Sequence, residues 1–143
     1  MLNIGNVFIL GDSYSTFESH IPHGYEFWYS ERDSKLTDVR TVEQTWWHQF
    51  LAATKSNLLL NCSWSGTTIC HTGYDGVDCS DKTFIARLDR LIEEGYFEAN
   101  RVDTLILFGG TNDSWANSPV GKLQYSDWER GIVLRVAGIL LFA

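Results

Sequence analysis

A chain of 143 residues with 44% hydrophobic and 14% aromatic residues, 12 Gly and 2 Pro has the composition of one globular domain, not of a disordered or collagen-like polymer. Eleven Lys and Arg against 18 Asp and Glu leave a net charge of -7, which excludes nucleic acid and anionic lipid as partners held by bulk charge. The longest apolar run, 131–143, has 13 residues and contains Arg135, short of the roughly 18 residues that a membrane span needs.

The first element is the apolar run Asn6-Val7-Phe8-Ile9-Leu10, ended by Gly11, the pattern of a parallel strand covered on both faces. Met1 to Leu10 lacks a basic n-region and runs straight into Gly11-Asp12, so it reads as this strand and not as a signal peptide. A cytoplasmic protein is expected, or a secreted one whose leader preceded this numbering. Gly11-Asp12-Ser13-Tyr14-Ser15 follows, placing the Ser13 hydroxyl where a strand turns into a loop or helix. A serine there suits a nucleophile whose own N–H faces a developing oxyanion, although Gly-Asp-Ser is also a common turn sequence. Ser15 to Thr41 is too long for a plain crossover. Its Phe17, His20, His23, Tyr25, Phe27, Trp28 and Tyr29 predict either a binding rim over the carboxyl edge of the sheet or packing against the first helix.

Thr41 or Glu43 through Ala53 follows as a helix with Trp46, Trp47, Phe50 and Leu51 on one side. A second strand, Leu58 to Cys62, leads into Asn61-Cys62-Ser63-Trp64-Ser65-Gly66-Thr67, where Gly66 can present a bare N–H to a substrate oxygen. Cys62, Cys70 and Cys79 match no compact zinc spacing and read as free thiols, with a Cys70–Cys79 bridge as the other reading. A second helix places Phe84, Ile85, Leu88, Leu91 and Ile92 at helical spacing after the possible caps Ser80 and Asp81. The third strand, Thr104 to Phe108, ends in Gly109-Gly110-Thr111-Asn112-Asp113, whose Asn112 amide is a further hydrogen-bond donor. Strands alternating with helices predict an open doubly wound α/β sheet, and three polar loops at its carboxyl edge, one with a nucleophile and two with donors, describe an acyl-transfer site.

These three blocks, in this order on successive strands, resemble the SGNH (GDSL-like) hydrolase family over about residues 6 to 118. The resemblance implies a three-layer α/β/α flavodoxin-like fold, with Ser13 as nucleophile, Ser13, Gly66 and Asn112 forming the oxyanion hole, and hydrolysis of esters, often acyl groups on carbohydrates or lipids. Tyr14, Trp64 and Trp115 flank the blocks as candidates for the substrate wall, each equally a candidate for the core. No metal or cofactor is implied. The family's late Asp-x-x-His block, which supplies the general base, has no counterpart after Asp113. The histidines are His20, His23, His48 and His71. His48 reads as a packing or surface residue, and His71 and His20 are the candidates for a substitute base, with order and partner unlike a working triad.

A complete domain of this type has two further strands and helices, so the chain reads as C-terminally truncated. The other reading is a short member whose last helix starts at Ser126 and buries Ile132, Val133, Val136, Ile139 and Leu140. Ten of the 13 residues in 131–143 are apolar, which predicts pairing into a homodimer through this tail and the sheet edge beside the third strand. The expected activity is serine ester hydrolysis of a small-molecule or carbohydrate ester, weak or absent in this chain for want of the catalytic histidine. The alternative is a non-catalytic module that binds a sugar or an acylated ligand.

Overall fold

Val7, Phe8, Ile9 and Leu10 are wholly buried in strand β1, Asn6–Gly11, because this strand lies between two others and carries helices on both faces. The computed structural model of the protein describes residues 3–32 and 37–118. The expected helix from Ser126 and the apolar segment 131–143 lie outside these residues.

Strands β2, Asn57–Asn61, and β3, Thr104–Phe108, both pair in parallel with β1, giving the order β2-β1-β3. Alternation along β1 divides the core into two layers. Val7 and Ile9 face Phe17, Trp47 and Leu51, the last two from helix α1, Trp46–Thr54. Phe8 and Leu10 face Cys62, Ile69 and Phe84, with Leu88 and Leu91 of helix α2, Phe84–Glu93, and Tyr96 and Phe97 of the short helix α3, Tyr96–Ala99. The result is the three-layer α/β/α flavodoxin-like arrangement. Among the described residues β2 and β3 are the outer strands. Leu105 and Phe108 of β3 are consequently more exposed than any apolar residue of β1.

Three local expectations need correction. Helix α1 starts later than Thr41 or Glu43: Val42–Gln44 forms a separate 3-10 turn, and Thr45 caps α1 by accepting from the His48 N–H at 3.3 Å. Helix α2 is capped by Thr83, whose Oγ1 accepts from Ala86 N–H at 3.0 Å, while Ser80 is drawn into a turn on Asp78. Its buried face is Phe84, Arg87, Leu88 and Leu91, a clean i, i+3, i+4, i+7 stripe, and Ile85 and Ile92 face outward. An arginine therefore occupies the place that apolar counting gives to an isoleucine.

Phe108 also packs on Trp46, with ring centroids 5.0 Å apart, and α1 exposes Phe50 at its outer side. The aromatic segment after Ser15 divides between the first helix and the edge of the sheet. Phe17 packs against α1, whereas Tyr25 stacks on Trp64 at 4.0 Å and the Glu26 carbonyl accepts from Ser65 N–H at 2.9 Å, covering the loop that follows β2. The three cysteines are free thiols.

Candidate active site

The order β2-β1-β3 makes the carboxyl ends of β1 and β3 the point at which the chain reverses its direction of winding, where ligands of open α/β sheets bind. Gly11 closes β1 in very little space. A Cβ there would lie 2.6 Å from Ser15 Oγ and 2.7 Å from Ser63 Oγ, so a side chain would push away the 3-10 turn Ser13–Ser15 that folds back over it. Asp12 caps this turn through Oδ1, which accepts from Tyr14 N–H at 3.2 Å. The Ser13 carbonyl accepts from both the N–H and the hydroxyl of Thr16, at 3.1 and 2.7 Å, so the half-buried Ser13 is held on a rigid backbone.

The three loops are stitched together. The Trp64 N–H donates to the Gly11 carbonyl at 3.2 Å, the Asp12 N–H donates to the Phe108 carbonyl at 3.3 Å, and the Asn61 amide donates to the Ser15 carbonyl at 2.8 Å. Gly66 has φ +77 with open space where a side chain would stand, so the backbone conformation and not packing calls for glycine. Gly110, at φ +106, turns β3 into the short helix α4, Thr111–Trp115. There Asn112 is buried, its Nδ2 donating to the Thr67 carbonyl at 2.7 Å and its Oδ1 accepting from the Tyr74 hydroxyl at 2.8 Å. The Asp113 carboxylate accepts from Ile69 N–H through both oxygens, at 2.8 and 3.0 Å, and from Cys70 N–H at 3.0 Å, fixing the loop after β2 against α4.

The other candidates are placed unevenly. Tyr14 is 46% exposed and Trp115 74% exposed. Trp64, by contrast, is stacked on Tyr25 with the Lys82 ammonium 5.4 Å from its ring centre. His71 is exposed at the base of a small hairpin whose tip carries Tyr74. His20 lies elsewhere, against Phe17 and Trp47, in a cleft shared with His48 and with Lys55 to Leu58 at the amino end of β2. Among the described residues no group of three His, Cys, Asp or Glu side chains is arranged to hold a metal ion, and no helix is long and apolar enough to cross a membrane.

Residues 5–140 match the family described as GDSL-like Lipase/Acylhydrolase. The chain belongs to this family. Two crystal structures support the same assignment. The first is of a Bacteroides ovatus protein assigned as a GDSL-like lipase, at 44% identity and TM-score 0.74. The second is of its Bacteroides uniformis counterpart, at 45% identity and TM-score 0.73. Each match covers 86% of this chain, which spans 56% and 55% of the two neighbours. No curated protein matches.

Two charged residues of this GDSL-like chain shape the site electrostatics. Arg87, fully buried, donates from Nη1 to the carbonyls of Gly11, at 3.0 Å, and of Cys62, and from Nη2 to Thr67 Oγ1 at 3.2 Å. Burial lowers its pKa to about 10. Asp12 is buried with no hydrogen-bond partner for Oδ2 among the described residues, and desolvation raises its carboxyl from 3.8 to about 6, against the pull of the Tyr14 N–H and of Arg87.

The native fold therefore binds the Asp12 proton more tightly than the unfolded chain does. This contribution to stability is fully present below about pH 4 and is lost as pH rises through about 6. Relative to Asp12→Asn, which keeps the acceptor for Tyr14, the wild type should lose about 2 kcal/mol across this window. Parallel stability profiles for the two proteins in urea titrations from pH 4 to 7 would exclude a raised Asp12.

Proposed function

We propose that this chain carries the acyl-transfer centre of a serine ester hydrolase, with Ser13 as nucleophile and the N–H groups of Ser13 and Gly66 and the Asn112 amide as oxyanion donors. The observation that carries the reading is the 2.7 Å bond from Asn112 Nδ2 to the Thr67 carbonyl, which ties the amide after β3 to the residue following Gly66. Together with the Trp64 bond to Gly11, it draws all three blocks to the point where β1 and β3 end.

In this reaction Ser13 Oγ forms a bond to the ester carbonyl carbon while a base takes its proton. The carbonyl oxygen becomes an oxyanion that the three donors stabilise, and collapse expels the alcohol, reprotonated by the same base. Water then attacks the acyl-Ser13 ester in the reverse sense and releases the acid. Tyr14 and Trp115, with exposed rings, supply apolar faces of the kind on which an acylated carbohydrate stacks.

The histidines of this chain all precede Asn112, and the resemblance gives none of them the role of base. Hydrolysis of p-nitrophenyl acetate is therefore expected to be weak, with the residual rate coming from binding and the oxyanion donors. Imidazole in the buffer should raise it above the rate of imidazole alone, and Ser13→Ala should remove this excess. A p-nitrophenyl phosphonate should label Ser13, as read by peptide mass. Labelling at another residue, or an excess over the rate of imidazole alone that survives in Ser13→Ala, sinks the assignment. Fast turnover without imidazole that His71→Ala abolishes would make His71 the base.

A further inference from the structure

A side-chain amide has nearly the same shape at its oxygen and nitrogen ends, so its partners decide which end points where. At Asn112 the choice is unambiguous. The Thr67 carbonyl can only accept, so Nδ2 faces it at 2.7 Å. The opposite end, Oδ1, can only accept, so the Tyr74 hydroxyl donates to it at 2.8 Å. One N–H of Nδ2 is committed to Thr67, and its second has no protein acceptor among the described residues.

We propose that Tyr74 is a positioning residue for ester hydrolysis, its hydroxyl clamping the Asn112 amide in the orientation that aims this second N–H at the oxyanion. The inference rests on the reading of Asn112 as an oxyanion donor.

The hairpin around Tyr74 is built to hold it. Thr72 and Asp78 form an antiparallel bridge, Cys79 N–H donates to the His71 carbonyl at 2.7 Å, and Gly73 N–H donates to the Val77 carbonyl at 2.8 Å. Asp75 and Gly76, at φ 55 and 74, turn its tip. The hairpin grips the α4 region at two points, Tyr74 on Asn112 and the Ser118 hydroxyl on the Thr72 carbonyl at 2.9 Å. Tyr74 is 44% exposed, so its ring contributes little to the core and its hydroxyl is the part that matters. Partial desolvation first, then the neighbouring Asp12, Tyr14 and Asp113, push the Tyr74 phenol above its ordinary value.

The test is a double-mutant cycle of Tyr74→Phe and Asn112→Ala, assayed on p-nitrophenyl acetate with imidazole as external base. Tyr74→Phe should lower kcat about tenfold and leave KM within about twofold, because it loosens a donor that acts on the transition state. Asn112→Ala should lower kcat by roughly 10²–10³. On the Asn112→Ala background Tyr74→Phe should change nothing. The Asn112 side-chain amide resonances should also move in Tyr74→Phe, with no change in the urea midpoint. Equal losses on the two backgrounds, or no loss in Tyr74→Phe, would overturn the role of Tyr74 while leaving the hydrolase reading intact. Absence of Ser13-dependent turnover in the wild type is a separate failure, which removes the hydrolase reading and this role with it.

Discussion

Replacing Arg87 with alanine should destabilise the protein by about 3–5 kcal/mol, a large share of what a domain of this size possesses. The guanidinium is 0% exposed, sits 4.6 Å over the Phe84 ring and donates to groups at four places: Gly11 at the end of β1, Cys62 just after β2, Thr67 in the following loop, and Thr83 at the cap of its own helix. Alanine relieves the desolvation of the cation but strips a donor from the Cys62 and Gly11 carbonyls and opens a cavity beside Phe84. Arg87→Lys, which keeps a charge without the planar fork, should recover only part of the loss. Urea unfolding decides the matter. A loss below about 1 kcal/mol for the alanine variant would mean that water takes over the guanidinium's bonds.

The second large effect is expected at Asp113. Its carboxylate accepts from the N–H groups of Ile69 and Cys70, and hydrogen bonds to an ionised acceptor are roughly twice as strong as neutral ones. Asp113→Ala should lower stability by about 2–3 kcal/mol. It should also cut the imidazole-assisted ester rate more than tenfold, because the loop that carries Gly66 and Thr67 loses its hold on α4 and the oxyanion donors separate. Asp113→Asn keeps one acceptor oxygen and should fall between the two. A further readout is electrostatic. Asp113 adds to the elevation of the Asp12 carboxyl, so the Asp12 titration should move to lower pH in Asp113→Ala. An unchanged Asp12 titration together with a wild-type ester rate would show that Asp113 is not a structural strut of the site.

What was legible beforehand and what was not divides along physical lines. The strand Thr104–Phe108 was readable to the residue, and β1 and β2 to within one residue, because a continuous apolar run between polar turns has few other places to go in a domain of this size. The blocks around Ser13, Gly66 and Asn112 were readable for the same reason: each directly follows such a run. Arg87 was not, since a charged side chain in a helix reads as solvated, and its burial depends on two carbonyls and a hydroxyl supplied from segments 25, 76 and 20 residues away. The one available signal was the stripe Phe84, Arg87, Leu88, Leu91, which is more regular than the purely apolar choice. Tyr74 was missed because its partner lies 38 residues away and the polar hairpin around it has no periodicity of its own.

The sequence by itself determined the class of fold, the three blocks and the family, since hydrophobic runs and short glycine-bearing motifs act locally and survive without knowledge of neighbours. Tertiary structure alone decided how those blocks are held. Which residue caps α2, which side of it is buried, where the rim segment lies and which way the Asn112 amide faces all depend on hydrogen-bond partners distant in the chain. A buried donor or acceptor must be satisfied by whatever group the fold brings within about 3 Å, and no local pattern records which group that will be.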